Sequence, residues 1–259
     1  MMTTEDFLQI MTLRGWVLFR GVVDPPFLGR LRQDLERACQ RCHALQVEKG
    51  LAADTSGTAH HILGRQDSLD EFLERGYLRP YVGAFFDGPY ILNSYGGFDN
   101  APETAAYVSR VHRDVRTYTS NFPLMLNMLV LLDDFTNENG ATHLLSGSHQ
   151  ISKKPTDEFF FSQSERLLGR QGDIALFDSR LWHSAGRNTS NHNRRALTLT
   201  FTRPFMKQQL DYPRFLDSQF ASRLGPELRQ LLGFDACVPA NLDEWYQPPR
   251  DRFYKADQG

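Results

Sequence analysis

The chain has 259 residues, a formal net charge of −2 and 41% hydrophobic residues, enough apolar material for one large core. The near-neutral balance gives no basis for a nucleic-acid partner or an anionic membrane surface, and no stretch approaches the roughly 18 apolar residues of a membrane-spanning helix. Three cysteines, an odd number, argue against a disulfide framework. The opening Met-Met-Thr-Thr-Glu-Asp lacks the basic and apolar segments of a signal peptide, so a cytoplasmic location is expected.

Residues 5–13 read as a short helix and 15–20 as a strand, stopped by Gly21 and the turn Asp24-Pro25-Pro26. Asp24 can cap a helix over about 25–48, with proline at its first position. Leu28, Leu31, Leu35, Ala38, Cys42 and Leu45 follow that helix at three- and four-residue steps. Within it, Cys39-Gln-Arg-Cys42-His43 matches the c-type haem attachment pattern. Such attachment needs export, so these thiols are read as half-buried packing groups. Residues 50–66 show no period and read as a loop carrying His60 and His61, with helices at about 67–75 and 78–86 after it.

Residues 90–95 read as a strand broken by Gly96-Gly97, and 97–109 as a loop covering a site. The strongest strand is 124–132. Its near-continuous apolar run implies burial on both faces, which makes Asn127 conspicuous. Asn127 is either a satisfied core amide or a group facing a polar ligand. A turn at 133–140, a returning strand at 141–145, the turn Ser146-Gly-Ser-His149 and a polar loop at 150–163 come after it. Strands at 174–178 and 195–202 come next, the second alternating with one polar face, and then helices at about 216–223 and 226–233. Short strands between turn signals, with helices before and after, predict a mainly β, double-sheet β-roll buttressed by N- and C-terminal helices. It is read as a single domain over 1–259, with a helical region at 1–89 and C-terminal helices and a polar tail at 205–259.

The stretch that points to chemistry is Val111-His112-Arg113-Asp114. On a strand over 110–114, His112 and Asp114 share a face and Arg113 takes the other. An imidazole and a carboxylate so placed can clamp one side of a divalent metal. A third ligand from another strand would complete a two-His-one-carboxylate facial triad with open positions. A lone H-x-D triplet is common, so its weight comes from the blocks of sequence downstream of it.

Residues 133–149, Asp-Asp-Phe-Thr-Asn-Glu-Asn-Gly-Ala-Thr-His-Leu-Leu-Ser-Gly-Ser-His, resemble a block that the phytanoyl-CoA dioxygenase family places after its H-x-D strand. Residues 172–183, Gly-Asp-Ile-Ala-Leu-Phe-Asp-Ser-Arg-Leu-Trp-His, followed by Asn188-Thr189 and Arg194-Arg195-Ala196-Leu197, resemble its C-terminal block. The ordered blocks span roughly residues 90–204. The resemblance implies a double-stranded β-helix of the jelly-roll or cupin-like type, which holds Fe(II) and consumes 2-oxoglutarate and O2. It implies His112, Asp114 and His183 as metal ligands and catalytic centre. Arg194, eleven residues after His183, is the implied partner of the distal carboxylate of 2-oxoglutarate, with Arg195 as the competing choice. Only one of the two can face inward on an alternating strand.

Two positions depart from the family pattern. Ser146 stands where proline is usual, which should affect only turn stiffness. Ala185 stands where relatives often carry a serine that touches the cosubstrate, and Thr198, Asn93 or Asn127 would replace that contact. The carboxylate of Asp114 separates the chain from halogenase relatives and implies hydroxylation, desaturation or epimerisation. For a small-molecule substrate, the informative side chains are Phe98 in the covering loop, Arg113, Arg116 and Tyr118 near the metal strand, and Arg187. Each arginine has a solvated surface position as its ordinary alternative. His143, His149 and His192 read as turn or surface residues. The expected activity is therefore an Fe(II)/2-oxoglutarate oxygenase acting on a small molecule of secondary metabolism. A non-catalytic β-roll binding module and a cupin-like metal enzyme without a 2-oxo acid are the alternatives.

Overall fold

The computed structural model describes residues 2–102, 109–248 and 250. Helix α1 (Thr4–Arg14) begins at a reciprocal cap between Thr3 and Asp6 and ends at Gly15, whose φ of 80° suits glycine. Strand β1 (Trp16–Phe19) leads to α2 (Pro25–Glu48), where the Asp24 carboxylate accepts the Phe27 N–H and proline opens the helix. The segment at 50–66 is not all loop: β2 (Thr58–His60) pairs antiparallel with β3 (Ile91–Asn100), across α3 (Ser68–Arg75) and α4 (Arg79–Phe86).

Strand β3 does not stop at Gly96-Gly97. A Cβ on Gly96 would lie 2.5 Å from the carbonyl oxygen of Ala59 on β2, and one on Gly97 would strike Leu35 of α2. These glycines let neighbouring layers approach, which is the other use of glycine in a strand. Residues 98–100, expected in a covering loop, therefore belong to the sheet; 103–108 lie outside the described residues.

Next come β4 (Met125–Leu131), β5 (His143–Leu144), α5 (Asp157–Gln163), β6 (Glu165–Arg166), β7 (Ile174–Asp178), β8 (His183–Ser184) and β9 (Arg194–Thr202). Helix α5 interrupts the loop expected at 150–163, because the Thr156 hydroxyl caps the Phe159 N–H. The helix expected at 216–223 is instead two turns, α6 (Tyr212–Phe215) and α7 (Ser218–Ala221), each started by its own aspartate cap, Asp211 and Asp217. Helices α8 (Pro226–Leu231) and α9 (Leu242–Trp245) close the described chain.

The strands form a six-stranded antiparallel sheet, β1-β7-β4-β9-β3-β2, and a three-stranded one, β6-β5-β8. One face of the large sheet presents Leu126, Met128, Val130, Leu197 and Leu199 to the apolar stripe of α2, including Leu28, Leu31 and Leu35. The other face presents Leu129, Leu131, Ala175, Phe177 and Ala196 toward Leu144, Leu167 and Leu181 from the small-sheet side. The result is a double-stranded β-helix core with flanking helices, not a closed barrel. Among the described residues no helix is long and apolar enough to cross a membrane.

Candidate functional site

The H-x-D segment is not a regular strand. His112 and His183 instead exchange both backbone hydrogen bonds, at 3.0 and 2.9 Å, as an isolated antiparallel bridge. The N–H groups of Asp114 and Val115 donate to the Ser179 carbonyl, and the Ser184 hydroxyl donates to the Ser109 carbonyl. The segment is thus laced along residues 179–184 and needs no sheet of its own. Arg113 points elsewhere: its guanidinium is buried 5.0 Å from the Trp182 ring centroid and donates to the Ile151 carbonyl.

This lacing brings His112, Asp114 and His183 together, each offering a ligand atom within 4.8 Å of the others. The imidazoles are oriented alike. Nδ1 of His112 bonds the Arg110 carbonyl at 2.7 Å and Nδ1 of His183 bonds the Leu181 carbonyl at 2.9 Å. Because a carbonyl only accepts, Nδ1 carries the proton in both rings, so it is Nε2 that holds the lone pair of the neutral imidazole. Those Nε2 atoms stand 3.6 and 3.7 Å from the two carboxylate oxygens of Asp114. Burial pushes the His183 imidazole below its ordinary pKa, which favours the neutral form a metal requires. Phe177 packs against the His183 ring at 5.1 Å.

Opposite this cluster runs one face of β9: Arg194, Ala196, Thr198 and Thr200. Arg194 is 2% exposed, with its guanidinium 4.3 Å from the Phe135 ring centroid and 5.7 Å from that of Phe98. Among the described residues its Nε and Nη2 meet no hydrogen-bond partner, and burial lowers its pKa to about 10. Arg195 is turned to the other side, where it forks onto Asp133 with two bonds of 2.9 Å. Thr198 is exposed although it lies in a central strand, so the space above it is open, and beside it the Ser94 hydroxyl donates to Thr200.

Of the remaining candidates, Asn127, Arg116 and Arg187 take the ordinary alternative that the sequence allowed, and Asn93 is turned to another use. Asn127 donates to the Asp114 carboxylate and so serves a ligand residue, not an open pocket. Asn93 sits at a register shift between Leu92 and Ser94 and donates to the Lys207 carbonyl, so it holds the chain beyond β9 and is committed away from the site. Phe98 lies on β3 opposite Ala196, and Arg116 and Arg187 are exposed. Tyr118 is partly exposed and donates its hydroxyl to the Gln150 carbonyl.

Ser146 does more than loosen a turn, since its hydroxyl accepts the Trp16 indole N–H and donates to Glu165. His143 and His149 are buried, not surface groups. Asn188 is fully buried, its amide donating to the Asn100 and His192 carbonyls. Sequence reasoning missed Phe177 and Phe135. Alternation along 174–178 could have paired Phe177 with Ala175 on the inward face, but Phe135, just beyond β4, carried no periodic signal.

The residues present fit a metal with a dicarboxylate cosubstrate. Two imidazoles and a carboxylate converge, and a buried guanidinium keeps two nitrogens with no partner among the described residues, beside aromatic walls.

Fold and site together define a β-roll of the non-haem metal-triad type. The family model for phytanoyl-CoA dioxygenase (PhyH) matches residues 11–196, and the chain belongs to that family of enzymes. It is 38% identical over 253 residues to an uncharacterised protein of Mycobacterium tuberculosis, covering 95% of this chain and 92% of that one. It is also 25% identical over 256 residues to the multifunctional dioxygenase ausE of Aspergillus calidoustus, covering 89% and 83%. Among solved structures, the non-haem alpha-ketoglutarate-dependent epimerase SnoN from nogalamycin biosynthesis superposes with a TM-score of 0.61. It shares 16% identity and covers 78% of this chain and 83% of that one.

Proposed function

We propose that this chain is an Fe(II)- and 2-oxoglutarate-dependent dioxygenase that oxidises an unactivated C–H bond of a small molecule, by hydroxylation. In this reading His112, Asp114 and His183 hold the iron, and Arg194 forks onto the far carboxylate of 2-oxoglutarate. In the same reading Thr198, exposed on that face of β9, would hydrogen-bond the cosubstrate where Ala185 cannot. When bound, iron and the 2-oxo acid supply the oxidising power, with O2 giving succinate, CO2 and an oxidised substrate carbon. The chain's own residues orient these groups: carbonyl bonds aim both imidazoles, and Phe98, Phe135 and Phe177 exclude water around them.

One observation carries the reading: the buried Arg194, with two nitrogens unpartnered among the described residues, on the sheet face that looks toward the triad. Asp133 and Asp99 help the guanidinium only through space, with no direct ion pair among the described residues; a desolvated cation so placed is costly, and a bound carboxylate would relieve it. The likeness to a dioxygenase supports the same class, and the fold shared with an alpha-ketoglutarate-dependent epimerase agrees with it. A cytoplasmic role on a secondary metabolite, with neither nucleic acid nor membrane involved, completes the proposal.

The test is anaerobic addition of Fe(II) and then 2-oxoglutarate to the purified protein. A weak visible charge-transfer band should form with the wild type and be missing in a His183→Ala variant. No band with the wild type would overturn the cofactor assignment. If activity is found but ignores both omitted 2-oxoglutarate and Arg194→Ala, the chain is a metal enzyme without a 2-oxo acid.

A further inference from the structure

We infer that Asn127 is a positioning residue that makes Asp114 a one-oxygen ligand. Asn127 sits in the middle of β4, a strand buried along its whole length, in register with Phe177 on one side and Thr200 on the other. Its amide Nδ2 donates to Oδ2 of Asp114 at 2.5 Å. An amide in so apolar a strand is costly unless it is paired, and the partner it has is the carboxylate.

The geometry of Asp114 explains what this bond does. Oδ1 lies 3.6 Å from Nε2 of His112 and Oδ2 lies 3.7 Å from Nε2 of His183, so both oxygens border the space between the imidazoles. The side chain is exposed, and the bond from Asn127 is the one that orients it from the sheet. With Oδ2 engaged by the amide, Oδ1 is the oxygen free to ligate. That choice sets the count of open positions. Three protein donor atoms leave about three positions on a six-coordinate ion, whereas a carboxylate using both oxygens leaves about two. A 2-oxo acid and O2 would together need all three. This inference rests on the proposed function, because it concerns the same metal site.

Mn(II) alone serves as the probe, read by water-proton relaxation of the bound ion, with no turnover involved. Wild-type protein should hold Mn(II) with about three exchangeable waters. Asn127→Ala and Asn127→Leu should hold it with about two, as the freed carboxylate closes onto the ion. Leucine preserves the volume in the core, and thermal melts by circular dichroism establish that each variant is folded. If both folded variants keep the wild-type water count, the one-oxygen assignment is overturned while the triad stands. If wild-type protein fails to retain Mn(II), the metal reading itself falls, and the inference with it.

Discussion

At the scale of single residues, Arg194 is the side chain whose position is hardest to explain by folding alone. It is almost wholly buried and, among the described residues, keeps two guanidinium nitrogens without acceptors, with the ring of Phe135 as its nearest aromatic wall. Burial lowers its pKa to about 10, below the ordinary arginine range, so it remains cationic at neutral pH. A base whose folded pKa is depressed weakens the fold at every pH below that value, and the penalty is relieved only as pH rises through about 10. Arg194→Met should therefore stabilise the ligand-free protein by roughly 1 kcal/mol or more, about 2 °C or more in melting temperature. The same variant should lose the stabilisation that 2-oxoglutarate gives the wild type. A thermal-shift titration measures both effects; an unchanged response to 2-oxoglutarate would remove Arg194 from the cosubstrate site. The H-x-D triplet and the candidate arginine were legible as residue types at recognisable spacing. That Arg194 turns inward was not, because the two adjacent arginines differ only in what lies on each side of β9.

At the scale of elements, long periodic segments were legible and short ones were not. Helix α2 and strands β4, β7 and β9 carry their own pattern, since apolar stripes and alternation are local properties of the chain. Strand β5 fell within the returning strand expected at 141–145, whereas β2 and β8, of three and two residues, are too short to show a period, and only their partners define them. The expectation of a strand at 110–114 failed for that reason: His112 is held by a bridge to His183, seventy-one positions away. Its functional consequence survived, because one extended residue on each side suffices to send Arg113 away from the two ligands. Gly96 and Gly97 show the reverse case. Their residue type signals a break, yet the neighbours that require them are β2 and α2. Gly96→Ala should push β2 off the sheet edge and cost about 1–3 kcal/mol, checked by urea unfolding. A cost within a few tenths of a kcal/mol would mean the edge strand yields freely.

At the scale of the whole molecule, stability and the site share one scaffold, and pH couples to it. The imidazole of His143 is buried on the small sheet beside Phe161 and bonded to the Ser164 hydroxyl. Burial, aided by the charge of Arg166, lowers its pKa to about 4. Protonation therefore opposes folding. Its neutral contribution is fully present above an unfolded value of about 6.5 and is lost as pH falls toward about 4. His143→Gln keeps a partner for Ser164 but does not titrate. Melting temperatures of the two proteins, compared from pH 7 to pH 4.5, should fall more steeply for the wild type; parallel curves would show that His143 carries no such coupling. Taking the difference cancels the other buried histidines and the aspartates whose pKa values burial raises.

What the chain determined by itself was local chemistry: which segments carry a period, which residues can cap, and which ordered blocks mark the family. Periodicity, capping and motif order lie within reach of a few neighbouring residues, so they can be read without coordinates. Only the tertiary structure decided that Asn127 serves Asp114, that Asn93 is spent on Lys207, and that Arg194 faces the interior while Arg195 pairs with Asp133. Each of those outcomes depends on a partner far away in sequence. A polar side chain takes its role from the acceptor or donor it meets after the sheets have packed.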